Sequence, residues 1–390
     1  MTAESCVSEP VPTAPVALGA TPLDAWHRAL GARMVPFAGY AMPVQYAPPA
    51  ALAARCRGGV LAEHLHCRSQ AALFDVSHMG QAWLTGPGTA AALERLVPGD
   101  IAGLPPGRQR YTLLTDPRGG ILDDLMVANL GDDRLFLVVN ASRKAEDFAH
   151  IAAALPSGVR LAPLAARALL ALQGPAAAAV LARLCPAAAA LPFLGVAALP
   201  VAGTDCLISR SGYTGEDGFE LSVPAGQALA LAEALLAQPE VAPAGLGARD
   251  SLRLEAGLCL YGSDIDLTTT PIEAGLGWTI GKRRRQDGGF PGAAVLRAQQ
   301  EAGPPRRRVG IRPDGRAPAR AGAAILGADG MPIGTVTSGL FSPSLNAPIA
   351  MGYVGRAFAA PGTPIGLQVR GATLPAVVAR LPFVPHRYRV

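Results

Sequence analysis

The 390-residue chain predicts an α+β fold: two split β–α–β units followed by a small antiparallel β-barrel or sandwich. Three observations predict it. A strand–helix–strand–strand–helix pattern occurs twice, with Leu84-Thr85-Gly86-Pro87 and Leu172-Gln173-Gly174-Pro175 in matching places. From Arg307 onward the texture changes to short β segments punctuated by Gly, Pro and Asp. Half of the residues are hydrophobic and 16% are charged, the balance of a well-packed globular chain long enough for two or three domains.

Taken in order, residues 1–20 read as a flexible tail, rich in Ala and Pro and without Lys or Arg. They fit neither a basic transit peptide nor a secretory signal, so a cytoplasmic protein is expected. Thr21-Pro22 opens a helix to Leu30, with Thr21 as its N-cap. The prolines in Met34–Tyr40 bar a regular central strand. A helix is expected over 50–67, interrupted at Gly58-Gly59. The first α+β unit takes residues 21–73 and 156–281, and the second takes 74–155. In the second unit a strand from Ala82 leads to a helix over 88–97, strands over 111–115, 122–130 and 135–140, and a helix over 143–155. The first unit resumes with a strand at 168–174, a helix to Leu184, strands at 204–209 and 219–223, and a helix over 225–236. A basic linker is expected over 282–306. The β domain, 307–390, follows with segments at 308–311, 324–326, 333–338, 350–354, 364–369 and 376–380.

Gly119-Gly120-Ile121-Leu122-Asp123-Asp124 carries the densest chemistry. The glycines allow a tight turn. On the strand that follows, Asp123 and Asp124 point to opposite faces, so one acid can aim inward while the other meets water. An inward carboxylate is costly unless something binds it. Ser211-Gly212-Tyr213-Thr214-Gly215-Glu216-Asp217-Gly218-Phe219-Glu220 forms a second glycine-rich hairpin. A pseudo-twofold relation would bring Glu220 toward Asp124. On a helix through 247–257, Arg249 and Arg253 share a stripe; they suit a carboxylate-bearing ligand or structural pairing with Asp250 or Glu255.

Other readings lose support. The six cysteines form no Cys-x-x-Cys pair, a reducing-compartment pattern. His64, His66 and Cys67 resemble metal ligands, but positions two apart do not share a helix face, and no metal is expected. Gly275–Lys282 lacks the register and the Ser/Thr of a phosphate loop, and no Gly-x-Gly-x-x-Gly or Gly-x-Ser-x-Gly motif fits. The net charge of +5 sits largely in Lys282–Arg285 and Arg306–Arg308, without interleaved aromatics, so no nucleic-acid partner is expected. No apolar run is long enough to span a membrane.

Phe74-Asp75-Val76-Ser77-His78-Met79, Gly119–Leu125, Gly212–Gly218, 248–262, Trp278–Arg285, Thr335–Gly339 and Pro343-Ser344-Leu345 together resemble the glycine cleavage T-protein family of folate-dependent aminomethyltransferases. The resemblance covers essentially residues 21–390. Where relatives usually carry Asn-Glu before the glycines, this chain has Thr115-Asp116-Pro117-Arg118. The resemblance implies three domains in a ring around a central channel, the first unit binding folate. It implies transfer of a methylene group from the aminomethyl-dihydrolipoyl arm of the H-protein to tetrahydrofolate, with release of ammonia. The catalytic aspartate falls on Asp124, an anion at neutral pH unless buried. Folate contacts fall on Tyr213, Glu220, Arg249, Tyr388 and Asn140. Two rivals are a non-catalytic folate-binding relative and a folate-dependent demethylase. The first usually has a cysteine where Ser211-Gly212-Tyr213 has none. The second is normally fused to a flavin domain, for which these residues leave no room.

Overall fold

A computed structural model describes residues 17–47 and 58–389. A short helix α1 (Asp24–Ala29) leads into a two-stranded ribbon, β1 (Ala32–Phe37) and β2 (Tyr40–Tyr46). Pro36 and Pro43 are tolerated because this ribbon joins neither large sheet. Thr21 does not cap the helix. Its hydroxyl donates to Asp75 Oδ2 at 2.7 Å, and Leu23 occupies the N-cap position. His27 Nε2 meets the same oxygen at 2.8 Å, so a buried carboxylate drew the hydroxyl away from the helix end. Helix α2 (Val60–Ser69) begins after Gly59; residues 50–57 of the expected helix lie outside the described residues.

β3 (Ala71–Asp75), buried at every position, enters one large sheet. β4 (Gly80–Thr85), α3 (Thr89–Glu94), β5 (Arg108–Thr115), β6 (Ile121–Asn129), β7 (Arg134–Val139), α4 (Lys144–Ala154) and β8 (Arg160–Pro163) build the other, ordered β5-β6-β7-β4-β8. The chain then returns to the first sheet. β9 (Arg167–Gln173), α5 (Ala177–Leu184), α6 (Pro186–Ala189), β10 (Val196–Val201), β11 (Thr204–Ser209), β12 (Gly218–Pro224), α7 (Ala228–Leu236) and β13 (Val241–Pro243) complete the order β10-β11-β12-β9-β3-β13. The five strands of the other sheet follow the order of the first five in this one, with β4 matching β9 and β8 matching β3, and β13 is the extra strand. Gly86 and Gly174 end the matching strands in the same way: a Cβ would stand 2.1 Å from Gly158 O and 2.2 Å from Gln70 O. Each sheet carries its own apolar core. Leu170, Leu172, Leu181 and Leu235 lie in one, and Leu84, Leu93, Leu125 and Leu137 in the other. Ala128, Phe136, Val196 and Leu207 fill a seam between the sheets.

Helix α8 (Leu246–Glu255) crosses to the last unit. The 282–306 stretch is not a plain linker, since it folds into α9 (Lys282–Asp287) and α10 (Ala293–Ala302). Arg283 binds Glu94 at 2.6 Å and Asp100 at 2.8 Å, and Arg284 donates to Glu94 O at 2.7 Å. These basic residues fasten the stretch to the second sheet's unit. The final strands, β14 (Arg306–Pro313), β15 (Ala324–Leu326), β16 (Pro332–Ser342), β17 (Ala347–Gly355), β18 (Pro364–Val369) and β19 (Ala372–Ala379), close as a six-stranded barrel, which settles barrel against sandwich. Between both sheets and the barrel lies a cavity of about 1690 Å³. Among the described residues no helix is long and apolar enough to cross a membrane.

Candidate functional site

The bend before β6 is built by its own residues. Asp116 Oδ1 accepts the N–H groups of Arg118 and Gly120, each at 2.8 Å. Gly119 takes a φ of +83°, and a Cβ on Gly120 would stand 2.1 Å from Leu267 O, so neither position accepts a larger residue cheaply. The strand leaves this bend in fixed register with β5, Leu113 opposite Asp124.

Asp123 and Asp124 do take opposite faces, but the acid turned away from the cavity does not meet water. Asp123 is fully buried toward α4, and Asp124 lines the cavity. The sequence reading had one acid solvated; α4 folds over that face and removes the water. Asn140, just past β7, ties the two together. Its Nδ2 donates to Asp123 Oδ1 at 2.9 Å and to Asp124 Oδ1 at 2.8 Å, and its backbone N–H donates to Asp123 Oδ2 at 3.2 Å. The Tyr111 side chain lies close enough to Asp124 to act on its carboxyl.

Burial, then the charge of Asp123, pushes the Asp124 carboxyl up to about 7, against the opposing influence of Tyr111 and Asn140. The anion expected at neutral pH was conditional on exposure; here burial moves the carboxyl's titration up toward neutrality. A carboxyl titrating near neutrality can both take and return a proton.

Glu220 reaches the cavity from β12, where Ser211 Oγ donates to its Oε2 at 3.2 Å. Burial raises its carboxyl, and the Arg249 charge opposes the rise. Arg249, on α8, lies over the Tyr213 ring at 4.9 Å. Its Nη1 is buried without a hydrogen-bond partner among the described residues. Arg249 and Glu220 therefore feel each other's charge, yet no direct ion pair joins them among the described residues. Arg253, one turn along, is structural: it binds Asp264 at 2.6 Å, Asp250 at 2.8 Å and Ser338 at 2.8 Å. The Tyr213 hydroxyl donates to Cys259 O. Tyr388 stacks on Phe193 with centroids 4.6 Å apart, and both line the same cavity.

Asp124, Asn140, Tyr213, Glu220, Arg249 and Tyr388 thus share one cavity. The route to that result differs from the expected pseudo-symmetry. In matched strand order β6 corresponds to β11, whereas Glu220 stands on β12, the counterpart of β7. The Gly212–Gly218 turn is hence not the counterpart of Gly119-Gly120, and the two acids meet because the faces of both sheets border one cavity.

Tyr111, Asp147 and His78 escaped the sequence reading. Tyr111 was within reach of it, because the β5–β6 hairpin register puts Tyr111 diagonally beside Asp124. His78 lines the cavity, is 3% exposed and has an Nδ1 without a partner among the described residues. Burial lowers its imidazole to about 4, leaving it neutral. His64, His66 and Cys67 turn to separate partners: Ser251 with Glu255, Glu240 O, and Gln173 O.

Comparison with known proteins agrees across the whole chain. Residues 23–284 match the family description "GCVT N-terminal domain", and residues 306–385 match "Glycine cleavage T-protein C-terminal barrel domain". The mitochondrial aminomethyltransferase of Gallus gallus is 52% identical over 384 residues, spanning 96% of this chain and 95% of that protein. The Homo sapiens mitochondrial aminomethyltransferase is 47% identical over 386 residues, spanning 97% and 93%. The crystal structure of glycine cleavage system aminomethyltransferase T from Bartonella henselae superimposes with a TM-score of 0.88 at 44% identity, covering 96% of this chain and all of that one. The two animal relatives are mitochondrial by name and lend the cytoplasmic expectation no support. Most of the segment it rested on, residues 1–16, lies outside the described residues.

Proposed function

Because the chain belongs to the glycine cleavage T-protein family and is an aminomethyltransferase of the glycine cleavage system, we propose that its central cavity binds tetrahydrofolate with Asp124 at the reacting nitrogens. One observation carries this reading: the half-buried cation Arg249, whose Nη1 is buried without a partner among the described residues, shares a cavity with the half-buried acid Glu220, which it does not touch. Such a pair is costly alone and calls for a polar ligand between.

The donor set fits a reduced pterin. Glu220 offers two oxygens to adjacent ring N–H groups, a forked pairing that a carboxylate favours. Tyr213 and Tyr388 present apolar faces with polar tips. Arg249 supplies a fixed guanidinium for a carbonyl or carboxylate. When bound, tetrahydrofolate supplies the nucleophilic nitrogens that take the one-carbon unit. Asp124, aimed by Asn140, takes the proton from the attacking amine and lends negative charge beside the transferred carbon. The carbon arrives as the aminomethyl group on the dihydrolipoyl arm of the H-protein. 5,10-Methylenetetrahydrofolate and ammonia are the products. The non-transferring folate binder and the demethylase are not favoured over this activity.

Replacement of Glu220 by Gln keeps the shape and leaves one oxygen facing a ring donor. Tetrahydrofolate affinity, measured by fluorescence titration, is expected to fall on the order of 10-fold or more, since a neutral acceptor is weaker and one ring N–H loses its partner. Unchanged affinity would remove Glu220 from the binding site.

A further inference from the structure

Behind Asp124 lies a second pair of acids that the proposed chemistry leaves unused. Asp123 is 0% exposed and Asp147, in the first turn of α4, is 1% exposed. Their side chains face each other, acid against acid, and each acts on the other's titration. Two carboxyl groups can share a hydrogen bond only if one carries a proton. Asp147 Oδ2 is buried with no donor among the described residues, an arrangement a bare carboxylate tolerates poorly. Asp123 presents both oxygens to Asn140, which in turn holds Asp124.

We infer that Asp123 and Asp147 hold one proton between them and so act as positioning residues, fixing the Asn140 amide against Asp124. The inference rests on Asp124 being the reacting carboxyl. The shared proton limits the pair to one negative charge. Two ionised acids at this spacing would repel, move α4 away from β6, and release Asn140. The charged and titratable groups that face the pair agree with one retained proton. Asp124, with Tyr111 beyond it, lies on the sheet side; Arg143 and Glu146 belong to the start of α4, and Tyr261 approaches from the segment after α8. Arg143 leans over the Tyr261 ring at 5.7 Å and makes no ion pair with either acid among the described residues; its charge acts on Asp147 from a distance and offsets only part of the burial. Burial, reinforced by Asp147, pushes Asp123 up to about 8, in line with that geometry.

Asp147→Asn is the direct test. Its amide N–H replaces the shared proton and leaves Asp123 free to hold Asn140 with both oxygens. At about pH 7 turnover is expected within threefold of wild type, whereas Asp147→Ala loses about 10–100-fold through misaimed groups. Above about pH 8 the wild-type rate falls as the pair loses its proton; in Asp147→Asn that fall disappears. A second arm needs no turnover. In the Asp124→Asn protein, the infrared carbonyl stretch of a protonated carboxylic acid at neutral pH is expected to vanish when Asp147→Asn is added. Asp147→Asn as damaging as Asp147→Ala, a retained alkaline fall, or an unchanged infrared band would each overturn the inference. A protein that shows the infrared change yet transfers no carbon would instead refute the reading of the cavity.

Discussion

Asp124→Asn is expected to lower kcat by on the order of 10²–10⁴-fold, the usual share of a positioned proton acceptor. The amide occupies the same volume and its oxygen still accepts from Asn140, so circular dichroism and tetrahydrofolate affinity stay close to wild type. What disappears is the capacity to take a proton. The pH profile separates these effects. With the Asp124 carboxyl near 7, the ionised, active form accumulates as pH rises through that value. kcat/KM is therefore expected to climb on the acid side with a midpoint near about 7, and the residual rate of the Asn variant to be flat there. Turnover within fivefold of wild type, or an acid limb that survives the substitution, would transfer the role to another group.

The largest stability effect is expected at Glu255. It is fully buried at the end of α8 and accepts from His64 at 3.1 Å, Arg68 at 2.8 Å, Ser342 at 2.5 Å and the Ser344 hydroxyl at 2.7 Å. Helix α2, helix α8 and the barrel's β16–β17 connection meet on this one carboxylate. Burial alone would raise its pKa, but hydrogen bonds from His64, Ser342 and Ser344 and the His64 charge outweigh that and hold it at about 2. Glu255→Ala leaves Arg68 with Glu216 as its one carboxylate partner, beside the Thr214 and Leu252 carbonyls, and takes the acceptor from the Ser342 hydroxyl. The expected loss is about 3–5 kcal/mol in urea unfolding, the cost of breaking a buried ion pair from one side. The sign with pH follows from linkage. A carboxyl depressed in the folded state stabilises fully above its unfolded value of 4.5, and that contribution fades as pH falls toward 2. The wild-type advantage is thus expected to be full at about pH 7 and smaller at about pH 3. A gap that is constant with pH would mean the carboxylate's charge contributes nothing.

The fold class was readable because it rests on local periodicity. Six short β segments announced six barrel strands, and two strand–helix–strand–strand–helix runs announced two sheets. The bend at Gly119-Gly120 was readable for the same reason, since Asp116 and the glycines lie within five residues. What sequence could not supply was any decision made by distant partners. Arg249 and Arg253 are alike on a helical wheel; only Asp264 and Ser338, brought in from other segments, make one structural and leave the other its cavity. The helices at 282–306 were hidden because Arg283 and Arg284 owe their order to Glu94 and Asp100 in the second unit. Asp123 looked solvated until α4 covered it. The resemblance pointed to Asp124, which lines the cavity, but its near-neutral titration comes from surroundings assembled only in three dimensions.

The interleaving of the sheets dictates an order of assembly. Strands β4 to β8 find all their neighbours within residues 80–163, so that sheet can form as soon as its own stretch exists. The strand at 71–75 is apolar and must stay unpaired until 167–173 and 241–243 reach it. Long-range pairings of this kind are slow and leave sticky surface waiting. Pulse-labelled hydrogen exchange during refolding is expected to protect Val127 and Leu137 before Leu73. The earlier-made strand is the later to dock, and the chain guards it least while it grows.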